Sequence, residues 1–503
     1  VAVGTAGSAV VFAGLTVIIA LAGLSVIGIP SSTKMGLAAA ATIAVSVFVA
    51  LTLVPALLGL WPRAVLRRSA RKTIDTPALV EPAEKKPNLG SRWACFVLRR
   101  PVPLLLLGAI GLAAMALPGL HMRLGQAGNA ILPMSSTERR AYDEISRAFG
   151  PGYNGQLAVI ITTDGTADPK TAATQVADKI RATPGVVEVS TPQFDQAGDA
   201  AIVTVVPATA PDAPQTATLV ERIRDERPAV QERTGTTYLV TGLTAANIDI
   251  AAKVSGALIP YLLTVVGLAF LLLLIVFRSV LVPLKATLGF LLSVFAGLGA
   301  MVAVFQWGWL AGLFGVPATG PLPPMLPVML VGISFGLAMD YELFLVSRIH
   351  EAHSHGRPTP DAVVLGFRHS ARVVVAAALI MISVFFGFLT NRNIAIKEIG
   401  FGLAVAVLLD AFVVRMTLVP AALALLGKAA WWRPRWLDRV LPRLDVEGRS
   451  LEKQLATGAA EPAAGKSASP DSEEQQPTAP TTADASPWAV EGEPAGHERV
   501  PRQ

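Results

Sequence analysis

The chain has 503 residues, 52% of them hydrophobic and only 16% charged, with a mean hydropathy of +0.53. The apolar residues come in long blocks, which excludes an ordinary soluble domain and predicts a polytopic α-helical membrane protein. The net charge of +6 is gathered in particular loops, a mark of membrane topology and not of nucleic-acid binding, and the single cysteine, Cys95, excludes an internal disulfide framework and thiolate metal clusters.

Two spans come first, Ala9–Ile29 and Leu37–Leu60, each about 20 apolar residues, joined by a turn at Gly28-Ile-Pro-Ser-Ser. The chain enters the first span with neither a basic n-region nor a small-residue cleavage site, so this is no signal peptide. The expectation is an N-terminus cut from something longer. Residues 1–61 thus form one unit. Residues 62–101 follow as a loop with Arg67, Arg68, Arg71, Lys72, Lys85, Lys86 and Arg99, whose positive charge beside span ends predicts a cytoplasmic position. Trp61 and Trp93 fit an interfacial aromatic belt.

A third span occupies residues 102–120. From 121 to 252 the pattern changes to an α+β domain, expected on the extracytoplasmic side. Gln156–Thr163, Val186–Ser190, Ala200–Val206 and Thr237–Thr241 read as strands. Asp168–Thr183 and Pro214–Thr234 read as helices, with another at Ser136–Phe149. The order β-α-β-β-α-β is the split, ferredoxin-like arrangement.

Residues 253–428 hold five more spans: Leu258–Phe277, Leu284–Gln306, Met325–Ser347, Val373–Leu389 and Ile399–Leu426. Arg278 and Lys285 are assigned to an inner turn, Trp307 and Trp309 to the outer interface, and Arg348–Arg372 to a basic inner loop. Eight transmembrane helices in all satisfy the positive-inside pattern. The segment 429–503, rich in Ala, Pro, Ser, Glu and Thr, is expected to be a disordered cytoplasmic tail.

The span Met325–Ser347 carries Asp340 well inside. A central carboxylate costs about 2.5–3.5 kcal/mol on the insertion scale, so it faces protein or trapped water and marks function by default. Gly332 and Gly336 are four apart and Asp340 continues the row, a helix-packing seam beside the acid. Tyr341 adds a hydroxyl that can donate or relay a proton. Glu342, on another face, is read equally well as a structural partner. Asp410 and Arg415 in the last span are read first as ion-pair partners of a neighbouring helix, with a relay role second. His350, His353 and His355 have weak metal spacing but sit in a basic stretch, so no metal is expected there. Gly150, Gly152 and Gly155 make no phosphate loop, and no nucleotide site is expected.

Thr52-Leu-Val-Pro-Ala-Leu-Leu-Gly59 recurs as Thr417-Leu-Val-Pro-Ala-Ala-Leu-Ala-Leu-Leu-Gly427. The first two spans are therefore counterparts of the last two, and repeat interfaces are where transporters place their working sites. Further signatures stand in order: Phe335-Gly-Leu-Ala-Met-Asp-Tyr-Glu-Leu-Phe-Leu-Val-Ser-Arg-Ile-His-Glu351, Gly242-Leu-Thr-Ala-Ala-Asn-Ile-Asp249, Phe277-Arg-Ser-Val-Leu-Val-Pro-Leu-Lys285, Phe149-Gly-Pro-Gly152 and Asp410-Ala-Phe-Val-Val-Arg-Met-Thr-Leu-Val-Pro420. Together these resemble the actinobacterial MMPL transporters of the resistance–nodulation–division superfamily, over about Ala9 to Gly427. The resemblance implies a twelve-span protein with two outer porter domains, driven by protons and exporting lipids or lipid-like molecules. It maps the family's proton site onto Asp340 and Tyr341. A second Asp-Tyr pair, expected in a preceding half, is not in this sequence.

The resemblance implies no enzyme and no cofactor. Its partners would be membrane lipids or hydrophobic small molecules as substrate, with membrane or periplasmic proteins beside them. Two other readings stay open: a non-transporting scaffold for envelope lipids or proteins, and an intramembrane aspartyl protease using Asp340 and Asp410.

Overall fold

The computed structural model describes residues 2–60, 88–163, 166–354 and 356–432. Trp61, most of the basic 62–101 loop and nearly all of the 429–503 tail lie outside the described residues.

The first repeat supplies α1, Ala2–Ala22, and α2, Pro30–Leu60. Between them a 3-10 turn ends at Gly28, whose φ of +70° is a conformation glycine adopts without strain. A short helix not foreseen in the basic stretch follows, α3, Leu89–Arg99. Asn88 caps it by accepting from the Ser91 amide, and Ser91, Ala94 and Val97 form its buried face. Its charges hid that stripe in the sequence. Then comes α4, Pro101–Ala116.

The α+β part begins with α5, Thr137–Ala148, and continues through β1 (Leu157–Thr162), α6 (Pro169–Arg181), β2 (Val186–Val189), β3 (Gln193–Phe194), β4 (Ala200–Pro207), α7 (Pro214–Asp225), α8 (Arg227–Thr234) and β5 (Thr237–Thr241). The antiparallel sheet has the order β2-β4-β1-β5, with the two-residue β3 also paired to β4. Setting that fragment aside, this is the strand order of the split βαβ arrangement. The helix expected over 214–234 is two helices. Pro228 has no amide to donate and disfavours a helical residue before it, so the helix is interrupted at Glu226. Asp168 caps α6, accepting from the Thr171 hydroxyl and amide, and those hydrogen bonds hold its carboxyl below the usual range. Alternation along β1 and β4 buries Val159, Ile161, Val203 and Val205 against the helices and leaves Ile160 and Ile202 half-exposed on the other face.

Five long segments complete the chain: α9, Leu243–Phe277; α10, Leu281–Met301, widened into a π turn over Val302–Gln306; α11, Met325–Ser354; α12, Thr359–Gly387; and α13, Ile394–Leu408. The last continues as a π-helical stretch, Leu409–Leu418, and ends in α14, Val419–Leu426. Among the described residues, seven helices are long and apolar enough to cross a membrane. The eighth expected span lies in α11, a 30-residue helix with an apolar stretch, Met325–Met339, among the described residues. The protein is polytopic and helical, with one small α+β part.

Two boundaries differ from the sequence reading. The Arg348–Arg372 segment is helix up to Ser354 and again from Thr359, with non-helical residues 356–358 before the second helix. Val363, Phe367, Ala371 and Val374 make a buried stripe at helical spacing, which the intervening Arg and His residues obscured. And α9 runs unbroken through residue 252, where the α+β part was expected to end. At about 1.5 Å per residue it is a rod of roughly 50 Å shared by the two parts. Arg224 on α7 grips Asp249 near its start through two hydrogen bonds. Gln306 ties the other strand of the junction, accepting from the Arg123 amide and donating to the Arg123 carbonyl. Leu124 and Leu322 form a parallel bridge beside it.

Candidate functional site

The site is built on α11. Pro323 and Pro324 lie just before it and Pro327 in its first turn, where a missing amide leaves no bond unmade. Gly332 and Gly336 occupy one row of the helix. A Cβ at Gly332 would lie 2.6 Å from the Tyr261 hydroxyl, which is buried and donates to the Ala20 carbonyl at 3.2 Å. A Cβ at Gly336 would lie 2.5 Å from Val17 Cγ2. The row is therefore pressed against α1 of the first repeat and against α9. Position 340 continues it along the helix backbone. The side chains of Asp340 and Tyr341 lie outside the described residues.

Overfilling such a seam costs about 1–3 kcal/mol. Gly336→Leu is expected to lower the thermal unfolding midpoint of the detergent-solubilised protein, and Gly336→Ala to lower it less. Equal midpoints for both variants and the parent would show that α1 is not packed on this row.

On another side of α11 the structure joins four charges. Glu342 is 1% exposed and accepts from Lys285 Nζ at 2.8 Å and from Arg415 Nη1 at 3.0 Å. Arg415, 3% exposed, also donates through Nε to Asp410 Oδ2 at 2.6 Å. Asp410 is 5% exposed. The row Lys285–Glu342–Arg415–Asp410 thus links α10, α11 and the π-helical stretch with alternating sign. Each buried charge has an opposite partner, which is the condition under which burial is tolerable.

The π turn makes the last link possible. In an α-helix, residues five apart point roughly 140° away from each other. Widening to i→i+5 bonds stacks them, and π segments are frequent at functional sites. The sequence reading had Asp410 and Arg415 paired to a neighbouring helix. Arg415 does reach one, at Glu342, but its other partner is Asp410 on its own segment. Lys285 was misassigned to an inner turn. It lies inside α10 with only 9% of its side chain exposed. Its spacing from Glu342, 57 residues along the chain, gives no local signal. Glu398, a buried acid near the start of α13, was also missed.

The π stretch ends at Leu418, and Pro420, at the start of α14, cannot donate to the Met416 carbonyl. The Trp93 indole N–H does so at 2.8 Å, so Trp93 caps an orphaned backbone group as well as standing half-exposed. His350 and His353 both pack on the Trp431 ring, with centroids 4.7 and 5.4 Å away, and His353 Nδ1 meets the Arg357 carbonyl. His355 lies outside the described residues.

The sequence profile of the MMPL family matches residues 1–104 and 130–444. The membrane protein YdfJ of Bacillus subtilis is 41% identical over 455 residues, which is 90% of this chain and 61% of YdfJ. The mycolic acid-containing lipids exporter MmpL11 of Mycolicibacterium smegmatis is 36% identical over 451 residues, 89% of this chain and 47% of its own length. The heme uptake protein MmpL11 of Mycobacterium tuberculosis is 37% identical over 457 residues, 90% of this chain and 46% of its own length. The chain therefore spans about half to three fifths of the curated relatives it matches.

Proposed function

We propose, since the chain belongs to the MMPL family, that the complete protein is a proton-motive-force-driven transporter exporting lipids or other hydrophobic molecules across the plasma membrane. The observation that carries this reading is the packing of α11 through Gly332 and Gly336 onto α1. That contact sets the acid-bearing helix at the interface of the two sequence repeats, the place where transporters work. The buried ion row is a second support, because it holds Glu342, two residues from Asp340 on the same helix, by two cations.

Asp340 would take and release the proton, with Tyr341 as its hydroxyl partner. Each elementary charge crossing the membrane gains about 2.3 kcal/mol per 100 mV. A change of charge at 340 would alter how α11 sits between α1 and the ion row. The rod α9, packed on the same seam through Tyr261, would carry the movement to the α+β part. In this reading residues 121–252 lie outside the cell and residues 62–101 and 429–503 in the cytoplasm. The substrate is a lipid or another apolar molecule, and partner proteins would be membrane or periplasmic. The protein would not be an enzyme.

Export is the direction favoured by the name of the mycobacterial lipid exporter. In proteoliposomes of the complete protein, an imposed proton gradient is expected to drive movement of fluorescent lipid, and a protonophore to stop it. Lipid movement indifferent to the protonophore would overturn the coupling. No observation favours the scaffold reading. A protease reading is weakened by Asp410, whose carboxylate is committed to Arg415.

A further inference from the structure

The short helix α3 is fixed through its buried face. The Asn88 side-chain amide donates to the Arg368 carbonyl of α12 at 2.7 Å. A Cβ at Gly90 would lie 2.7 Å from Ala371 Cβ on the same helix. The Trp93 indole holds the Met416 carbonyl of the π stretch. Only Arg100 separates α3 from α4, a helix long and apolar enough to cross a membrane, so α3 ends at a bilayer boundary.

Its outward face carries both chemistries of that boundary. Arg92 and Arg99 are exposed and seven residues apart, two turns along one line of the helix. Arg100 is exposed just beyond them. Beside this line run Leu89, Trp93 and Phe96, which are 82%, 40% and 46% exposed, with the two rings 5.6 Å apart. Phe96 follows Arg92 by four residues and precedes Arg99 by three, so its ring neighbours both cations. Among the described residues, the elements packed against α3 bring these cations no acid. α3, α4 and α14 carry none. Asp361 of α12 stands two turns from the Arg368 carbonyl that Asn88 holds, and Asp410 of the π stretch is bound to Arg415.

Guanidinium forks match phosphate oxygens, and exposed rings settle at the headgroup level of a bilayer. We propose that the outward face of α3 binds the headgroup of an anionic phospholipid, with Leu89 and Phe96 against its acyl chains, and that the bound lipid braces the π stretch through Trp93. A zwitterionic lipid brings no net charge to answer the arginines and is held less. The link to the bundle is short. Trp93 caps Met416, the neighbour of Arg415, and Arg415 donates to Asp410 and Glu342. A lipid that steadies α3 therefore steadies one end of the ion row. This lipid is a resident of the protein and not its cargo, and the site does not depend on the transport reading.

The test is native mass spectrometry of the complete protein in detergent, with dioleoylphosphatidylglycerol or dioleoylphosphatidylcholine added. Preferential retention of phosphatidylglycerol is expected. Arg92→Gln and Arg99→Gln should each weaken it roughly fivefold, the worth of one basic residue at an anionic membrane surface, and leave phosphatidylcholine unchanged. Both arginines lie off the buried face, so these variants should unfold at the midpoint of the parent in lipid-free detergent. The charge-matched change of Arg67→Gln with Arg68→Gln, in the basic loop, should leave retention as it is. Equal retention of the two lipids, or an equal loss in the loop variant, overturns the site. The brace is read by hydrogen–deuterium exchange over residues 409–420, in phosphatidylcholine nanodiscs with and without phosphatidylglycerol. The anionic lipid should slow exchange there in the parent and not in Trp93→Phe, which keeps a ring but has no N–H to donate. Exchange indifferent to the lipid in the parent, or slowed as much in Trp93→Phe, overturns the proposed brace.

Discussion

Asp340→Asn in the complete protein is expected to reduce proton-driven lipid export to the level of the protonophore-treated parent, with the thermal unfolding midpoint unchanged or raised. Asn has nearly the volume of Asp and keeps an acceptor, but it cannot take up a proton. Among the described side chains the ion row is Glu342 bound to Lys285 and Arg415, and Arg415 bound to Asp410. Within that row two cations balance two anions. Asp340 adds one negative charge when it loses its proton, and the Asn variant removes that alternation while leaving all four charges of the row in place. Removing an intramembrane carboxylate also lowers the insertion cost, of about 2.5–3.5 kcal/mol for a charged form at mid-membrane. Export should be read in proteoliposomes under an imposed gradient, beside unfolding of the same preparation. Undiminished driven export would remove the acid from the mechanism.

The sequence was most informative where a regular period met a physical requirement. Alternating strands and amphipathic helices between residues 157 and 241 gave the ferredoxin-like order before any coordinate, because one face of that sheet must be covered. The apolar spans were legible for the same reason. What escaped was set by distant contacts. Lys285 looks like a topology charge because nothing near it in sequence shows that Glu342 will meet it. The stripe Val363–Phe367–Ala371 was masked by charges on the other faces of α12. The pairing of Asp410 with Arg415 defies the α-helical period and needs the π turn, which no residue pattern announced. The two glycines of α11 were visible as a row, but the row's neighbours, Val17 and Tyr261, are set by the fold.

The ion row yields the other large effect, on stability. Arg415→Met removes the cation shared by Asp410 and Glu342 and leaves Asp410 buried without the guanidinium that binds it. Breaking a buried pair from one side costs about 3–5 kcal/mol, because the stranded charge has no solvent to replace its partner. The unfolding midpoint of the variant in detergent or bicelles should fall accordingly. Arg415→Lys keeps the charge but has a single ammonium in place of the fork that sends Nε to Asp410 and Nη1 to Glu342, so it should fall between. The double change Asp410→Asn with Arg415→Met should recover much of the loss. It removes the stranded carboxylate together with the cation, and Glu342 still holds Lys285 at 2.8 Å. If the double variant is as unstable as Arg415→Met alone, the cost does not come from the unpaired carboxylate. If Arg415→Met unfolds like the parent, the four charges are not a coupled row, and the π turn must then be explained without the pair it brings together.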